Sequence, residues 1–526
     1  MKVLVSDPLS PQGLDLLAKE VDFEVDIKTE LTPDELIERI GDYDALIIRS
    51  TTKVTTEVIE AAKRLKVVGR AGVGVDNVDV EAATRHGILV VNTPTGNTIS
   101  AAEHTLTMML ALARNIVPAS VSLKKGEWTR SKFTGVELYG KVLGVIGLGK
   151  IGSEVVHRAQ AFGMETIAFD PYISSEAAEK LGIRLVKREE LLKGADYISI
   201  HTPLIPETYH SISTHEIALM KPTCRLINCA RGGIIDEAAL YIALKEGRIA
   251  AAALDVFEDE PPIDNPLLTL ENLLVTPHLG ASTAEAQTHV AIEIAQQVIN
   301  ALRGLPVTNA VNQPKMDWQT IEVFGPYLTL AEKIGSFQAQ IVEGQISEIQ
   351  IHYRGDLFNE DITPITVALQ KGLLTPVLQT NVNYVNAPFI IKQRGIRVTE
   401  TKSHSEGNFA NSITITVVTD QAERTIEGTT FGQKDLRIVR IDQHHVNAKP
   451  EGYMILIYNQ DQPGMIGMLG TILGNHHINI SDMTVGRSHI GERAVMVINV
   501  DSQAPREVLQ HIANQNRIYF VKQVKL

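Results

Sequence analysis

Residues 142–152 read Val142-Leu143-Gly144-Val145-Ile146-Gly147-Leu148-Gly149-Lys150-Ile151-Gly152. An apolar run passes directly into G-x-G-x-x-G, and a helical pattern follows through Phe162. Strand, tight turn and helix start must therefore follow one another without a break, as in a dinucleotide pyrophosphate site. Gly147 allows the turn, Gly149 lets the backbone approach the phosphates, and Gly152 lets the helix pack close to the strand. The free amides at the helix start carry roughly half a positive charge, which suits a pyrophosphate. Glycines so spaced also serve ordinary turns, so the motif needs context. A second strand, 165–169, supplies it by ending in Asp170, 18 positions beyond Gly152. That is close to the ~20 expected of the acid that binds the adenosine ribose hydroxyls. An acid there repels a 2′-phosphate, so NAD is expected over NADP. The competing reading of Asp170 is a strand-end cap on the turn at Pro171.

A chain of 526 residues is too long for one core, and three or four domains are expected. A hydrophobic share of 44% with 21% charged residues describes a soluble globular protein. The net charge of −13 argues against nucleic acid and anionic membranes as partners, so an anionic substrate must meet a local basic cluster. Cys224 and Cys229 are the two cysteines. They form no disulfide framework and no metal-ligand spacing, so no metal is expected and a reducing cytoplasm fits. The first residues begin a strand at once, without a signal-peptide layout. No apolar run reaches the ~18 residues needed to span a membrane.

Residues 1–98 alternate short apolar strands with helical patterns, the signature of a parallel α/β sheet. Its strand ends lead into Arg49, into Arg70-Ala71-Gly72-Val73-Gly74, and into Asn92-Thr93-Pro94 followed by Asn97. Ligands of open α/β sheets bind beyond the carboxyl ends of the strands. Two arginines there beside glycine-rich turns suggest an anion site. Residues 99–125 are expected to form one long connecting helix, followed by an arm at 126–139 with Trp128, Arg130 and Lys132. The dinucleotide unit runs to about 287, and a last long helix, about 282–303, can return to the first unit. Residues 315–450 carry helices and strands but no phosphate loop. Residues 452–526 follow βαββαβ order and look like a binding or dimerising module.

Hydride exchange with a 2-oxo acid needs a cation to hold the carboxylate and an acid that titrates near neutrality to handle the carbonyl proton. A carboxylate beside that acid fixes its tautomer and stabilises the imidazolium. The strand-end turns of the dinucleotide unit supply such a set. Arg231 can clamp a carboxylate bidentately, His278 can be the acid/base, and Glu260 can orient it.

With this set in place, the chain resembles the D-isomer-specific 2-hydroxyacid dehydrogenases. The resemblance rests on Gly147 to Gly152, on Met220-Lys221-Pro222 with Asn228-Cys229-Ala230-Arg231-Gly232-Gly233, on Asp255-Val256-Phe257 with Glu260-Pro261, and on Pro277-His278-Leu279-Gly280-Ala281-Ser282. It covers the whole chain and is strongest to the long, three-part branch that oxidises 3-phospho-D-glycerate to 3-phosphooxypyruvate, the first step of phosphorylated L-serine synthesis. That resemblance implies an α/β architecture of two Rossmann-like parallel-sheet lobes, then an α+β middle domain and a ferredoxin-like ACT domain. The implied domains are 1–98 plus 288–310 for substrate, 99–287 for NAD, 315–450 for the middle domain and 452–526 for ACT. It implies Arg231, Glu260 and His278 as catalytic residues. Gly147, Gly149, Lys150, Ile151, Gly152, Asp170, Thr202, Cys229, Ala230, Asp255, Leu279, Gly280 and Ala281 would join Arg231 and His278 around NAD. Arg49, Arg70, Gly72 and Asn97 would face the substrate, with Arg130 reaching a partner subunit's site from the arm. Val73 departs from the Thr often found there, which removes a side-chain hydrogen bond to the cofactor. Relatives bind L-serine between paired ACT domains, at positions that here hold Asn459, Asp461 and Asn479. Serine-sensitive forms often carry His and Asn at the first two, so serine sensing and a purely dimerising role both stay open. A homo-oligomer, dimer or tetramer, is implied. Two other readings remain: a reductase of 2-oxoglutarate, hydroxypyruvate or glyoxylate, and a non-catalytic NAD-sensing binding protein.

Overall fold

The computed structural model describes residues 1–379, 381–404, 408–432 and 434–526. The first sheet has five parallel strands, Lys2–Val5, Glu24–Ile27, Ala45–Ile48, Val67–Arg70 and Leu89–Asn92. Their spatial order is second, first, third, fourth, fifth, a doubly wound arrangement with a switch point beside the first strand. Short helices between the strands start at recognisable caps, such as the reciprocal Thr32–Glu35 capping box ahead of Pro33. Alternate strand residues feed cores on both faces. Leu4, Leu46 and Val68 face one side, and Val3, Ala45, Ile47 and Val67 face the other.

The second sheet has seven parallel strands, beginning with Val142–Ile146 and ending with Leu273–Val275. Numbered within the sheet, their order is 3-2-1-4-5-6-7, the dinucleotide-binding order extended by one strand. Two chain crossings join the sheets. The helix Thr98–Ala113 leads from the first to the second, and the helix Ala284–Leu302 returns. The returning helix buries Ile294, Ala295 and Val298 in the core of the first sheet. Gly69 leaves room for it, since a Cβ there would meet Val298 at 2.7 Å.

The expected single helix over 99–125 is two helices, Thr98–Ala113 and Ile116–Lys124, bent by 62°. Asn115 sits at the break with φ 51°, and Pro118 lies in the first turn of the second helix. Proline clashes with the carbonyl four residues earlier, here Arg114, so an uninterrupted helix through this point is blocked.

The third sheet has six strands and lies against the helices Trp318–Ile341 and Thr363–Leu374. Two of its strands, Arg397–Ser403 and Glu423–Phe431, occupy a stretch that reads in the sequence as polar turns. The first is an exposed edge strand with almost no apolar alternation. The second carries Gly428 where the helix crosses, with Leu330 at 3.0 Å from any added Cβ. The fourth sheet pairs Tyr453–Gln460, Ile480–Arg487, Arg493–Val500 and Ile518–Lys525, all antiparallel neighbours. Helices Met465–Asn475 and Arg506–Ala513 cover one face. The other face, with Met454, Leu456, Tyr458, Val495 and Val497, joins the core of the third sheet. The α/β class and the four-part succession of sheets are as expected.

Candidate active site

The glycine turn has the geometry that close approach of a phosphate demands. Gly147 has φ 92°, a left-handed conformation that suits glycine, and a Cβ there would lie 2.7 Å from the His201 carbonyl oxygen. A Cβ on Gly152 would run into the Gly147 carbonyl oxygen. Gly149 differs, for no described atom lies within 4 Å of its added Cβ. The turn is therefore closed toward the sheet and open on the ligand side. Lys150 and Ile151 form the first turn of the helix Lys150–Ala161, where unpaired amides gather. The Thr202 hydroxyl is buried without a hydrogen-bond partner among the described residues, and a buried hydroxyl without a partner is costly unless a ligand supplies one. His201 beside it is kept neutral, its pKa lowered by burial to about 4. These features fit a dinucleotide.

Asp170 accepts hydrogen bonds from the Leu148 amide at 2.7 Å and from the Tyr172 amide at 2.8 Å. It thus caps its own turn and braces the glycine loop, while each carboxylate oxygen retains a lone pair for a ribose hydroxyl. Cys229 is packed beside Asp255. Burial, then that negative neighbour, pushes its thiol up to about 12, which disfavours the thiolate.

At the far end of the same strand edge, His278 Nδ1 lies 2.8 Å from Glu260 Oε2. The other Glu260 oxygen accepts the Phe257 amide at 3.2 Å. Burial works to raise the Glu260 carboxyl, but the hydrogen bond and charge of His278 and the Phe257 amide hold it below the ordinary range. His278 itself has φ 55°, a strained conformation for a side-chain-bearing residue. Asp255 enforces it. Its carbonyl accepts the His278 amide at 2.9 Å, and its carboxylate accepts the Leu279 and Gly280 amides at 2.7 and 2.8 Å. Ala281 completes that turn. Thr276 Oγ1 donates to Asp255 at 2.5 Å, and His104 Nε2 lies 3.2 Å away. Burial would raise the Asp255 carboxyl, and His104, Thr276 and the Leu279 amide outweigh it. Asp255 thereby organises the turn that carries His278. His104 escaped the sequence reading because a lone histidine near a helix start carries no motif; only its approach to Asp255 in the folded chain reveals it.

Arg231 follows the strand Arg225–Asn228, and its Nη1 donates to the neighbouring Ala230 carbonyl at 2.7 Å. From the first sheet, Arg70 and Arg49 approach the same region. Burial, then the positive charges of Arg231 and Arg49, bring the Arg70 guanidinium down to about 10. Arg70 Nε and Asn97 Oδ1 are buried without partners among the described residues. Gly72, with φ 150°, makes room for Arg70, whose Nη1 would collide with any Cβ there. Arg49 is half-buried, with its amide on Asp7 at 2.5 Å and Nη1 at 3.4 Å from the Pro8 carbonyl. The three cations meet here with Asp76 and Asp7 as countercharges, which leaves an excess of positive charge that suits an anion. Arg130 stands apart, in the exposed short turn Arg130–Phe133 on the arm.

In the fourth sheet Asn459 is fully buried, with Oδ1 unpartnered among the described residues and Nδ2 donating to the Gln460 carbonyl at 2.7 Å. Asp461 accepts from Arg487 at 3.3 Å and from the Gly491 amide at 3.2 Å. Asn479 donates to Asp501 at 2.7 Å. Asn459 pairs with Ala494, whereas Asn479 precedes Ile480, which pairs with Val500. Within one chain the first two residues and the third therefore occupy opposite ends of the sheet.

Comparison with known proteins identifies the domains around this geometry. Residues 106–280 match the D-isomer specific 2-hydroxyacid dehydrogenase NAD binding domain. Residues 323–442 match the D-3-phosphoglycerate dehydrogenase intervening domain, and residues 453–516 match the ACT domain. The chain is 50% identical to the D-3-phosphoglycerate dehydrogenase of Methanocaldococcus jannaschii over 97% of both chains. It is 45% identical to that of Synechocystis sp. over 100% of this chain and 95% of the relative. Among solved structures, the TT0316 protein of Thermus thermophilus superposes with a TM-score of 0.56 at 36% identity, covering 59% of this chain and 100% of that one. The chain belongs to the D-3-phosphoglycerate dehydrogenase family of the NAD-binding, D-isomer-specific 2-hydroxyacid dehydrogenases.

Proposed function

We propose that the chain oxidises 3-phospho-D-glycerate to 3-phosphooxypyruvate, opening the phosphorylated route to L-serine. The observation that carries this reading is the His278–Glu260 pair, 2.8 Å apart, on the same strand edge as Arg231 and across from the half-buried Arg70. His278 Nδ1 is engaged by Glu260, so Nε2 is the ring nitrogen left to take the substrate's hydroxyl proton. Glu260 stays ionised and stabilises the imidazolium that results. Arg231 holds the substrate carboxylate and orients the carbon whose hydrogen leaves. Arg49 and Arg70 neutralise the phosphate, and Asn97 lends a polar contact between them. NAD, when bound, supplies the hydride acceptor. The donor set that would hold it is Gly147, Gly149, Lys150, Ile151, Gly152 and Thr202 around the phosphates, Asp170 on the ribose, and Cys229, Ala230, Asp255, Leu279, Gly280 and Ala281 toward the nicotinamide. We assign residues 1–98 with 288–310 to the substrate lobe and 99–287 to the NAD lobe, followed by the middle domain at 315–450 and the ACT domain at 452–526.

Steady-state assays at alkaline pH with 3-phosphoglycerate and NAD should yield NADH, and His278→Ala should abolish it. Absence of NADH from the wild type would sink the reading and leave the non-catalytic, NAD-sensing role. A reductase of 2-oxoglutarate, hydroxypyruvate or glyoxylate needs no phosphate subsite. In that case Arg49→Ala and Arg70→Ala would leave the preferred substrate's KM nearly unchanged.

We further infer a cytoplasmic homo-oligomer, either dimer or tetramer. Val117, Val121 and Leu123 on the second half of the bent helix are 46%, 47% and 56% exposed, and Trp128 on the arm is 75% exposed, an apolar patch that a second copy would cover. Arg130 on that arm is then placed to enter the partner's cleft. Both cysteines are free. Among the described residues no single helix is long and apolar enough to cross a membrane, and the bent pair that passes on length buries Ala102, Met108 and Met109 in the core. L-serine remains the candidate ligand of the ACT domain, tested by turnover with and without it.

A further inference from the structure

Asp76 lies in the turn after the strand Val67–Arg70, and the proposed chemistry gives it no part. Its carboxylate nevertheless crosses the cleft: Arg231 Nε donates to Asp76 Oδ2 at 2.8 Å. The two residues are 155 positions apart and follow strands of different sheets. Arg231 is therefore held at two points, by Asp76 from the substrate lobe and by the Ala230 carbonyl from its own loop. Gly74 lies directly beneath the pair, where a Cβ would run into Arg231 Nη2 and come within 2.6 Å of Asp76 Oδ2. The loop is thus kept bare so that the two side chains can meet.

A guanidinium has five N–H donors in a rigid plane, and two anchors leave the Nη2 pair uncommitted. A clamp held in plane beforehand gives up less side-chain freedom when a carboxylate arrives. Asp76 is the more exposed of the pair, 55% against 27% for Arg231, so solvent screens its charge and its main effect is directional. Arg70 keeps its Nε without a partner among the described residues, and Asp76 stabilises its charge from nearby.

We propose that Asp76 is a positioning residue for the carboxylate clamp. It fixes the plane of the Arg231 guanidinium from the opposite lobe, so the clamp is complete only while the two lobes stand together. This rests on the reading that Arg231 holds the substrate carboxylate. The test is steady-state kinetics of the full chain with Asp76→Ala and Asp76→Asn, alone and combined with Arg231→Lys, alongside NADH binding by fluorescence. Asp76→Ala should raise KM for 3-phosphoglycerate by about tenfold, with kcat changed by less than about threefold and NADH affinity unmoved. Asp76→Asn keeps an oxygen acceptor for Nε and should recover most of the loss. In the Arg231→Lys background, which has no planar fork to orient, Asp76→Ala should add nothing further. A KM within about twofold of wild type in Asp76→Ala, a parallel loss of NADH affinity, or an undiminished penalty in the Arg231→Lys background would each overturn the role. Wild-type turnover is measured beside the variants. Its absence overturns the functional reading and this role with it, whereas turnover with an unmoved KM overturns the role of Asp76 alone.

Discussion

Glu260 shows how much a single side chain can report. Its carboxyl is held below the ordinary value of 4.5 by His278 and the Phe257 amide, against the effect of burial. A carboxyl whose folded pKa is depressed adds stability above its unfolded pKa, and that stability is lost as pH falls through the folded value. Urea midpoints should therefore fall as pH is lowered from about 4.5, and Glu260→Gln should flatten that fall. An unchanged slope in the variant would show that other carboxylates dominate. The same substitution should lower kcat by about 10² or more while leaving NADH binding intact, since it removes the counter-charge of the imidazolium but no contact to the nucleotide. Asp255 predicts a different phenotype. It is fully buried and receives the Leu279 and Gly280 amides and the Thr276 hydroxyl. Asp255→Ala strands those donors at about 1–3 kcal/mol each, so it should lower Tm more than Glu260→Gln, which near neutrality loses only the contribution of one partly exposed charged pair. Arg231, Glu260 and His278 were legible as a set beyond the strand ends because each follows a strand of a recognisable sheet. Asp76 and His104 were not legible as partners. Their significance lies in which turn they meet, and Asp76 meets Arg231 only once both sheets have folded.

Elements were legible where periodicity and end signals agreed. The strands of both parallel sheets read as short apolar runs with turn residues at their ends, because strands buried on both faces need no polar alternation. The strand Arg397–Ser403 was opaque for the converse reason: on an exposed edge nothing obliges its residues to be apolar. The break at Asn115 was written in Pro118 but hidden by apolar residues on both sides. Glycines inside helices are similarly easy to discount. Gly335 and Gly372 sit where the helices Trp318–Ile341 and Thr363–Leu374 touch backbone to backbone; a Cβ on Gly335 would be 3.0 Å from the Leu373 amide, and one on Gly372 would be 2.8 Å from the Glu332 carbonyl carbon. Helix propensity alone favours alanine at such positions by about 0.5–1 kcal/mol. The close crossing should reverse the sign: Gly372→Ala is expected to destabilise by about 1–3 kcal/mol through overpacking. Thermal unfolding of the full chain would register this, and a stabilised variant would mean that the helices can separate freely.

Across the whole molecule, cores do not stop where the sheets do. Val385, from the third-sheet unit, is buried in the core of the first sheet, and Asn383 donates to the Gly87 carbonyl at 2.7 Å beside it. One continuous core runs from Phe337 of the helix Trp318–Ile341 and Ile415 of the third sheet to Leu456 and Val497 of the fourth. At this junction Asp442 accepts Tyr458 at 2.5 Å and Arg424 at 2.7 Å, with the Arg424 guanidinium 5.1 Å from the Tyr458 ring centre. Burial, then the Asp442 charge, pushes the Tyr458 hydroxyl well above its ordinary value, so it stays a donor at any pH the enzyme meets. Gln340 of the long helix adds a pair of backbone bonds to Lys525 on the edge strand of the fourth sheet, at 2.9 and 3.0 Å. A shared core with polar ties across it makes two sheets open together, since neither can expose its face without exposing the other's. Asp442→Ala leaves Arg424 and the Tyr458 hydroxyl without their acceptor inside that junction, which should weaken both sheets at once. Hydrogen exchange on the full chain should then show protection falling in parallel in the strands Asp435–Ile441 and Tyr453–Gln460, with the glycine turn at Gly147–Gly152 unaffected. Faster exchange confined to the fourth sheet would mean that it opens as a unit of its own, and that the common core is a contact between independent bodies rather than a bond between them.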